Sequence, residues 1–393
     1  MLHDLMPRRG TRETFGNSAG GKNVDASSWV WDYGLMRVAV DAVGVRPGSA
    51  ANVIENLLRA WTLATPNDEI IVLVDGPTTY SLPPVAKVHT VVAKPASIPL
   101  RLWAHSVAVR RACSHLRADA LLSAVTANGF LGAPCVHAVI LYDLRHELRP
   151  WQFSSWRRLG RRVLYGASFR RATAILCSSE RTRGDLVKRR PGLAERAHVT
   201  LLGADHAANW RPAGVKRSAY ALAFGHSVNK NVHRVLHGWH SYRARDGDLI
   251  LVVCGLSGKS RRLAEQLVLE LHLEASVELL PWIEDDHFHS LFAGAAAVLF
   301  PSDFEGFGLP ALEAMLLGVP VVISSDPALL EVSDGHAVVA EDESPEALAE
   351  ALERALKLTD EQLAAGRTHA QGFTWERTAL QVREIIVRAT QEG

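Results

Sequence analysis

The sequence predicts an α/β fold class, two doubly wound domains facing one cleft, and three observations carry that expectation. Short β-branched runs alternate with helical stretches from Met36 onward. The alternation is broken once, by the polar, proline-containing NWRPAGVKRSA near 207–218, and then restarts with the same rhythm. The 393 residues are enough for two domains of roughly 150 residues each.

Taken in order, MRVAVDAVGV is a buried strand ending in a glycine loop, SAANVIENLLRAWTLA a helix and EIIVLVD a second strand. Strand, loop, helix, strand is the unit that builds parallel sheets. ADALLSAV, CVHAVILYD, TAILCSS and HVTLLGAD continue the strands to about residue 206. Beyond the break, YALAFGHS is a strand, a helix begins near Asn231, and DLILVVCG, SVELLPWI, AAVLFPS and VPVVISS follow as strands separated by helices. FTWERTALQVREIIVRATQEG reads as one terminal helix. The expected division is a disordered leader over 1–35, with Met36 as an alternative start, then domains over 36–210 and 218–372. The helix 373–393 is expected to pack back toward the first domain.

Composition excludes several classes. Forty-three Lys+Arg against forty-two Asp+Glu give a net charge of +1, so no general basic field gathers nucleic acid. No run approaches the roughly eighteen consecutive apolar residues of a spanning helix. Cys113, Cys135, Cys177 and Cys254 sit far apart in apolar stretches and read as reduced buried thiols of a cytosolic protein. One local imbalance stands out: from Arg145 to Arg190, thirteen Lys and Arg face only Glu147, Glu180 and Asp185. WRRLGRRVLYGASFRR mixes them with aromatic and aliphatic residues, as in a helix lying on an anionic membrane surface or in an ordinary solvated helix face.

The chemistry concentrates in FPSDFEGFGLPALEAMLLGVPVV, residues 300–322. A strand ends at Pro301, glycines 306 and 308 let backbone approach a ligand, and Pro310 suits the first turn of a helix whose free N–H groups favour a phosphate. Glu305 and Glu313 flank this backbone with carboxylates that can accept paired hydroxyls. Their purely structural reading is a loop acid and an acid favoured by the dipole of the first turn.

The segment EGFGLPALEAMLLGVPVV resembles the E-x7-E signature of the retaining GT-B glycosyltransferases of the family 4, or group 1, type, which includes bacterial polysaccharide mannosyl- and rhamnosyltransferases. The resemblance implies that Glu305, Gly306, Phe307, Gly308 and Leu309 face the donor sugar and its phosphates and that Glu313 faces the ribose. FGHSVNKNVHRVL resembles the family's first loop of the second domain, implying donor contacts from Gly225, His226, Lys230 and Asn231, with Lys230 a charge on the diphosphate. Relatives often carry an arginine in this loop; here His226 and Ser227 stand in its place. AVDAVGVRPGSAANV resembles the glycine loop near acceptor and phosphates, with Gly44 and Gly48. VILYDLRHELRP resembles a segment with His-Asp-Leu in relatives, so Tyr142 is carried over as sugar-proximal, with His146 read as a surface histidine or a substitute. PWIEDD corresponds to the nucleobase loop, with Trp282 and Ile283. CSSERTRGDL, with Ser179 and Glu180, reads as a helix cap.

Three patterns are set aside. GKS at 258–260 would need glycine where Val253 stands. DGD at 246–248 reads as a turn, and His287 and His289 have no third ligand nearby. The expectation is a retaining, metal-independent hexosyltransferase without cofactor, with Glu305, Lys230 and Tyr142 as catalytic candidates. It would use GDP-mannose, a UDP-hexose or a dTDP-sugar and a glycan, glycolipid or polysaccharide-intermediate hydroxyl, in the cytoplasm or at the inner membrane face. The alternatives are a silent sugar-nucleotide-binding or membrane-scaffold subunit, or a GT-B enzyme with a non-sugar acceptor.

Overall fold

A computed structural model describes residues 34–46, 48–78, 80–91, 98–210 and 218–392. The expected leader, apart from Gly34 and Leu35, and most of the 207–218 linker lie outside these residues. Leu35–Gly393 form one compact unit built on two sheets.

Among the described residues the first sheet has seven strands: β1 (Arg37–Asp41), β2 (Glu69–Val74), β3 (Lys87–Thr90), β4 (Ala120–Ser123), β5 (Val136–Leu141), β6 (Ala174–Cys177) and β7 (Ala197–Val199). They run in the order β3-β2-β1-β4-β5-β6-β7 and every pairing is parallel. The second sheet has β8 (Tyr220–Phe224), β9 (Ile250–Cys254), β10 (Val277–Leu279), β11 (Ala297–Phe300), β12 (Val321–Ile323) and β13 (Val338–Val339). Its order, β10-β9-β8-β11-β12-β13, repeats the same winding. Each sheet reverses direction once, between β1 and β4 and between β8 and β11, and ligands of such sheets sit at the strand carboxyl ends at these points.

The expected strands are present, HVTLLGAD contributing only its first two residues, His198 and Val199. Two edge strands, β3 and β13, escape the sequence reading. KVHT is mostly exposed and β13 has two half-buried residues, so neither shows the continuous apolar run of a central strand.

Helices cover both faces. The first domain carries α1 (Ser49–Ala64), α2 (Ile98–Trp103), which passes through a π-helical turn (Ala104–Ala108) into α3 (Val109–Leu116), then α4 (Arg145–Leu148), α5 (Ser155–Arg171) and α6 (Glu180–Arg189). The second carries α7 (Val232–Arg243), α8 (Gly258–Glu270), α9 (Asp285–Gly294), α10 (Leu309–Leu317), α11 (Pro327–Ser333), α12 (Pro345–Leu356) and α13 (Asp360–Gln371). Ala39, Leu73, Val109 and Leu121 build one core; Val139, Phe169 and Ile175 build another across the same sheet. In the second domain Val235, Leu236 and Trp239 of α7 pack with Leu348 and Leu352 of α12 over Leu251 and Val253.

The terminal helix α14 (Trp375–Glu392) crosses back to the first domain and packs on α1, β5 and β6. Its Arg383 reaches Asp68, which also accepts from Trp61 Nε1 at 2.9 Å. The GKS segment is a helix start: Ser257 and Ser260 form a reciprocal capping box on α8. The four cysteines are free thiols, and burial pushes those of Cys177 and Cys254 up to about 12. Among the described residues no helix is long and apolar enough to cross a membrane.

Candidate active site in the interdomain cleft

The loops leaving β8 and β11, neighbours at the reversal point of the second sheet, fold onto each other. After Phe224 the chain makes a short 3-10 turn (Val228–Lys230) and enters α7 through Asn231, whose φ of 55° is left-handed. After Phe300 it loops to Gly308, which caps α10 with a φ of 117°, a conformation that favours glycine, and Pro310 follows in the first turn. Asp303 N donates to Asn229 O at 3.1 Å. The Asn229 amide nitrogen donates to Phe304 O and to Glu305 Oε1, each at 2.9 Å.

Lys230 Nζ reaches the same Glu305 oxygen at 2.7 Å and lies 4.3 Å from the centre of the Phe300 ring. Lys230 is buried, 8% exposed, so this is a desolvated ion pair, and removing one partner would leave a buried charge uncompensated. Glu305 and Lys230, 75 residues apart in sequence, are therefore one unit.

Glu313 lies beyond the first turn of α10 and is 4% exposed, which removes the helix-dipole reading of its place. Its partner is His206, whose Nε2 is 3.2 Å from Glu313 Oε1. Trp375 Nε1 can only donate, and it does so to His206 Nδ1 at 3.0 Å. The ring proton of neutral His206 therefore sits on Nε2 and is given to Glu313. No sequence pattern in LLGADHAANW marks His206; its partners come from α10 and α14.

The Glu305–Gly306 backbone is clasped by the first domain. Gly306 O accepts from Ser178 Oγ at 2.9 Å, Ser179 Oγ at 2.6 Å and Thr182 Oγ1 at 3.0 Å. Arg181 donates to Glu305 O at 2.6 Å, pairs with Asp326 and lies over the Phe304 ring. Glu331 of α11 accepts from the backbone N–H groups of Glu180 and Arg181, so the amides at the start of α6 receive a carboxylate from the other domain. Ser179 caps α6 as the sequence suggests, but the CSSERT hydroxyls also cross the cleft.

Several expectations need correcting. A Cβ at Gly306 would stand 1.8 Å from Tyr142 O, so the first-domain backbone already accounts for glycine at 306. Gly225 is likewise pressed against Leu256. The Tyr142 hydroxyl is turned to Ala124 O at 3.1 Å, and burial raises its pKa. The Phe307 ring is buried and packs edge-on toward Phe373, so only its backbone can serve a ligand. His146 is no surface histidine: it is fully buried beside Tyr165, neither ring nitrogen has a hydrogen-bond partner, and burial holds it to about 4.

The remaining candidates lie outside the contacts described so far. His226 is exposed, and its ring centre lies 6.4 Å from that of exposed Trp282. Ile283 and Leu309 are half-buried. Gly44 and Gly48 lie in the β1–α1 loop, with open space beyond Gly48. Among the described residues no three His, Cys, Asp or Glu side chains are placed to hold a metal ion. What the cleft offers is backbone amides at the start of α10, two carboxylates with one oxygen each held in place, and basic side chains.

The family model for glycosyl transferases group 1 matches residues 215–371, which contain both loops and both glutamates. The second half of the chain thus carries a region similar to the group 1 glycosyl transferases. O-antigen chain mannosyltransferase B of Escherichia coli is 33% identical over 134 residues, covering 33% of this chain and 35% of that protein. The MMP alpha-(1->4)-mannosyltransferase of Mycolicibacterium hassiacum is 28% identical over 276 residues, 66% of each. The chain thus spans 35% to 66% of the length of these glycosyl transferase relatives. HepE of Anabaena, solved in complex with UDP and glucose, superposes with a TM-score of 0.67 at 17% identity, over 90% of this chain and 100% of that one. The fold is therefore the two-domain, Rossmann-like GT-B arrangement expected from the sequence.

Proposed function

We propose that the protein is a group 1 glycosyl transferase, a retaining hexosyltransferase that moves a sugar from a nucleoside-diphosphate donor to an acceptor hydroxyl without a metal. The observation that carries the reading is the Asn229–Lys230–Glu305 cluster at the β8/β11 reversal point, set just before α10, the helix that carries Glu313. One oxygen of Glu305 is held by two donors, which leaves the other for sugar hydroxyls. The N–H groups of Gly308 and Leu309, just ahead of Pro310 and of Ala311, whose N–H is bonded to Gly308 O, suit a phosphate. His206 holds Glu313 Oε1, which leaves Oε2 for a ribose hydroxyl.

In the transfer, the acceptor oxygen bonds to the anomeric carbon on the face from which the bond to the diphosphate breaks. The acceptor proton passes to the departing phosphate oxygen, so no protein base is assigned. A closed cleft keeps water from the reacting carbon. The mannosyltransferase relatives favour GDP-mannose, and HepE, solved with UDP and glucose, keeps a UDP-hexose in contention. A dTDP-sugar is the third arm.

For the acceptor, the surface of α5 supports a membrane-proximal glycan or glycolipid on the cytoplasmic face. Trp156, Leu159 and Val163 are 83%, 53% and 49% exposed and alternate with Arg157, Arg158, Arg161 and Arg162.

The test is thermal stabilisation by GDP, UDP, dTDP and their sugars, followed by transfer assays with Glu305→Gln, Lys230→Ala and Glu313→Gln. The matching nucleotide raises Tm by mass action. Glu305→Gln and Lys230→Ala lower kcat by about 10²–10³-fold, whereas Glu313→Gln mainly raises the donor KM. The proposal fails if no nucleotide or nucleotide sugar stabilises the protein, or if both Glu305→Gln and Lys230→Ala transfer normally. Binding without turnover across an acceptor panel would favour the silent subunit, for which the engaged Tyr142 hydroxyl is the motivating feature.

A further inference from the structure

The lysine of the β8–α7 loop, Lys230, is spent on an ion pair with Glu305. A diphosphate carrying about two negative charges therefore meets little net positive charge from the second domain's own loop.

Arg145 enters this space from the other side of the cleft. It is the first residue of α4, its backbone N–H bound to Asp143 Oδ1 at 2.8 Å. Its guanidinium donates to Asn229 Oδ1 and, at 3.3 Å, to Ser227 Oγ, both in the β8–α7 loop, and it lies 5.4 Å from the Phe153 ring centre. Among the described residues it forms no salt bridge, and its buried Nε has no hydrogen-bond partner. Its charge is felt by His226 and by Asp303 of the β11–α10 loop, which places it electrically between the two donor loops. An unneutralised guanidinium with a free donor, next to the Lys230–Glu305 pair, has the planar fork that matches phosphate oxygens.

We infer that Arg145, contributed by the first domain, binds the donor diphosphate across the cleft from the second domain's loop. The inference rests on the nucleotide-sugar reading above and makes a specific addition to it. Charge stabilisation of the leaving group becomes dependent on the approach of the two domains, because the cation lies on one and the nucleotide-binding elements on the other. Asn229 couples the two, accepting from Arg145 while donating to Glu305.

The experiment is calorimetric titration of the wild type, Arg145→Ala and Arg145→Lys with GDP, UDP and dTDP and with the corresponding monophosphates. The melting temperature of each variant verifies folding. For the diphosphate that binds wild type, Arg145→Ala weakens binding about 10–100-fold. Its monophosphate affinity changes less than about threefold, and the lysine variant recovers part of the loss as a point charge without the fork. The salt dependence of diphosphate binding also falls in the alanine variant. Folded Arg145→Ala with unchanged diphosphate affinity overturns the assignment. So does an equal loss for diphosphate and monophosphate, the pattern of a merely loosened loop. If wild type binds none of the nucleotides, the nucleotide-sugar reading itself fails; if it binds one and Arg145→Ala is silent, only the role of Arg145 fails.

Discussion

Replacing Arg383 by alanine should unlock the terminal helix from the first domain. Arg383 Nε lies 2.6 Å from Asp68 Oδ2 and Nη2 lies 3.0 Å from Oδ1, a two-pronged pair in which the Asp68 side chain is 1% exposed. Trp61 Nε1 at 2.9 Å and Met36 N at 3.2 Å complete the carboxylate's bonds. Burial pushes the Asp68 pKa up, but the bonds from Arg383 and Trp61 outweigh it and the net shift is downward. Among the described residues, deleting Arg383 removes the one charged partner of Asp68 and leaves a buried carboxylate with two neutral donors, a loss of about 3–5 kcal/mol. The assay is urea unfolding at pH 7, followed by far-ultraviolet circular dichroism and tryptophan fluorescence. Arg383→Met combined with Asp68→Asn, which removes both charges, should lose less than Arg383→Met alone. The sign of the pH dependence is set: a lowered carboxylate pKa adds stability above its unfolded value, lost as pH falls through the folded one. The acid limb of the Arg383→Ala stability curve should therefore be shallower. A loss under about 1 kcal/mol, or additive losses in the double variant, would refute the buried-pair argument.

Two further outcomes follow from burial and exposure. His137 and His146 are each held by burial to about 4, against an ordinary value near 6.5. Between those values the unfolded chain takes up protons that the native one refuses, so stability is complete above about pH 6.5 and falls toward pH 4. His105 works oppositely: burial lowers its pKa, but Asp41 at 2.8 Å more than offsets this, so its contribution is present at low pH and lost as pH rises. Thermal melts from pH 7 to pH 4 should show a net decline that His146→Phe makes shallower; a flat wild-type profile would contradict the assigned burial. On the surface, the chain should co-sediment with vesicles containing phosphatidylglycerol and not with pure phosphatidylcholine. Each of Arg157, Arg158, Arg161 and Arg162 would contribute up to about 1 kcal/mol. Equal retention of a Trp156→Asp, Arg158→Glu, Arg162→Glu variant would refute a membrane role for α5.

Much of the site is written locally. The EGFG loop, the proline-started helix and the spacing of Glu305 and Glu313 are visible in a single stretch, because a loop, a helix start and a helix face depend on neighbours within a few residues. Lys230 is visible for the same reason, in the glycine-led loop that follows a strand. Local patterns also bring glycine to the reader's notice without saying why it is needed. At 306 the need comes from the Tyr142 carbonyl, 164 positions earlier in the chain, and at 225 from Leu256.

The sequence by itself determined the two doubly wound sheets, since buried parallel strands are continuous apolar runs and helices between them have their own period. It also determined the loops that leave β8 and β11. Only the tertiary structure decided that Glu305 is paired with Lys230, that His206 holds Glu313, that Ser178, Ser179 and Thr182 clasp Gly306, and that Arg145 reaches across the cleft. It alone buried His146 and added the edge strands β3 and β13. The physical reason is common to all of these. Periodicity and turn chemistry act over a few residues, whereas a hydrogen bond between domains depends on how two sheets are brought together by packing, and no local pattern records that distance.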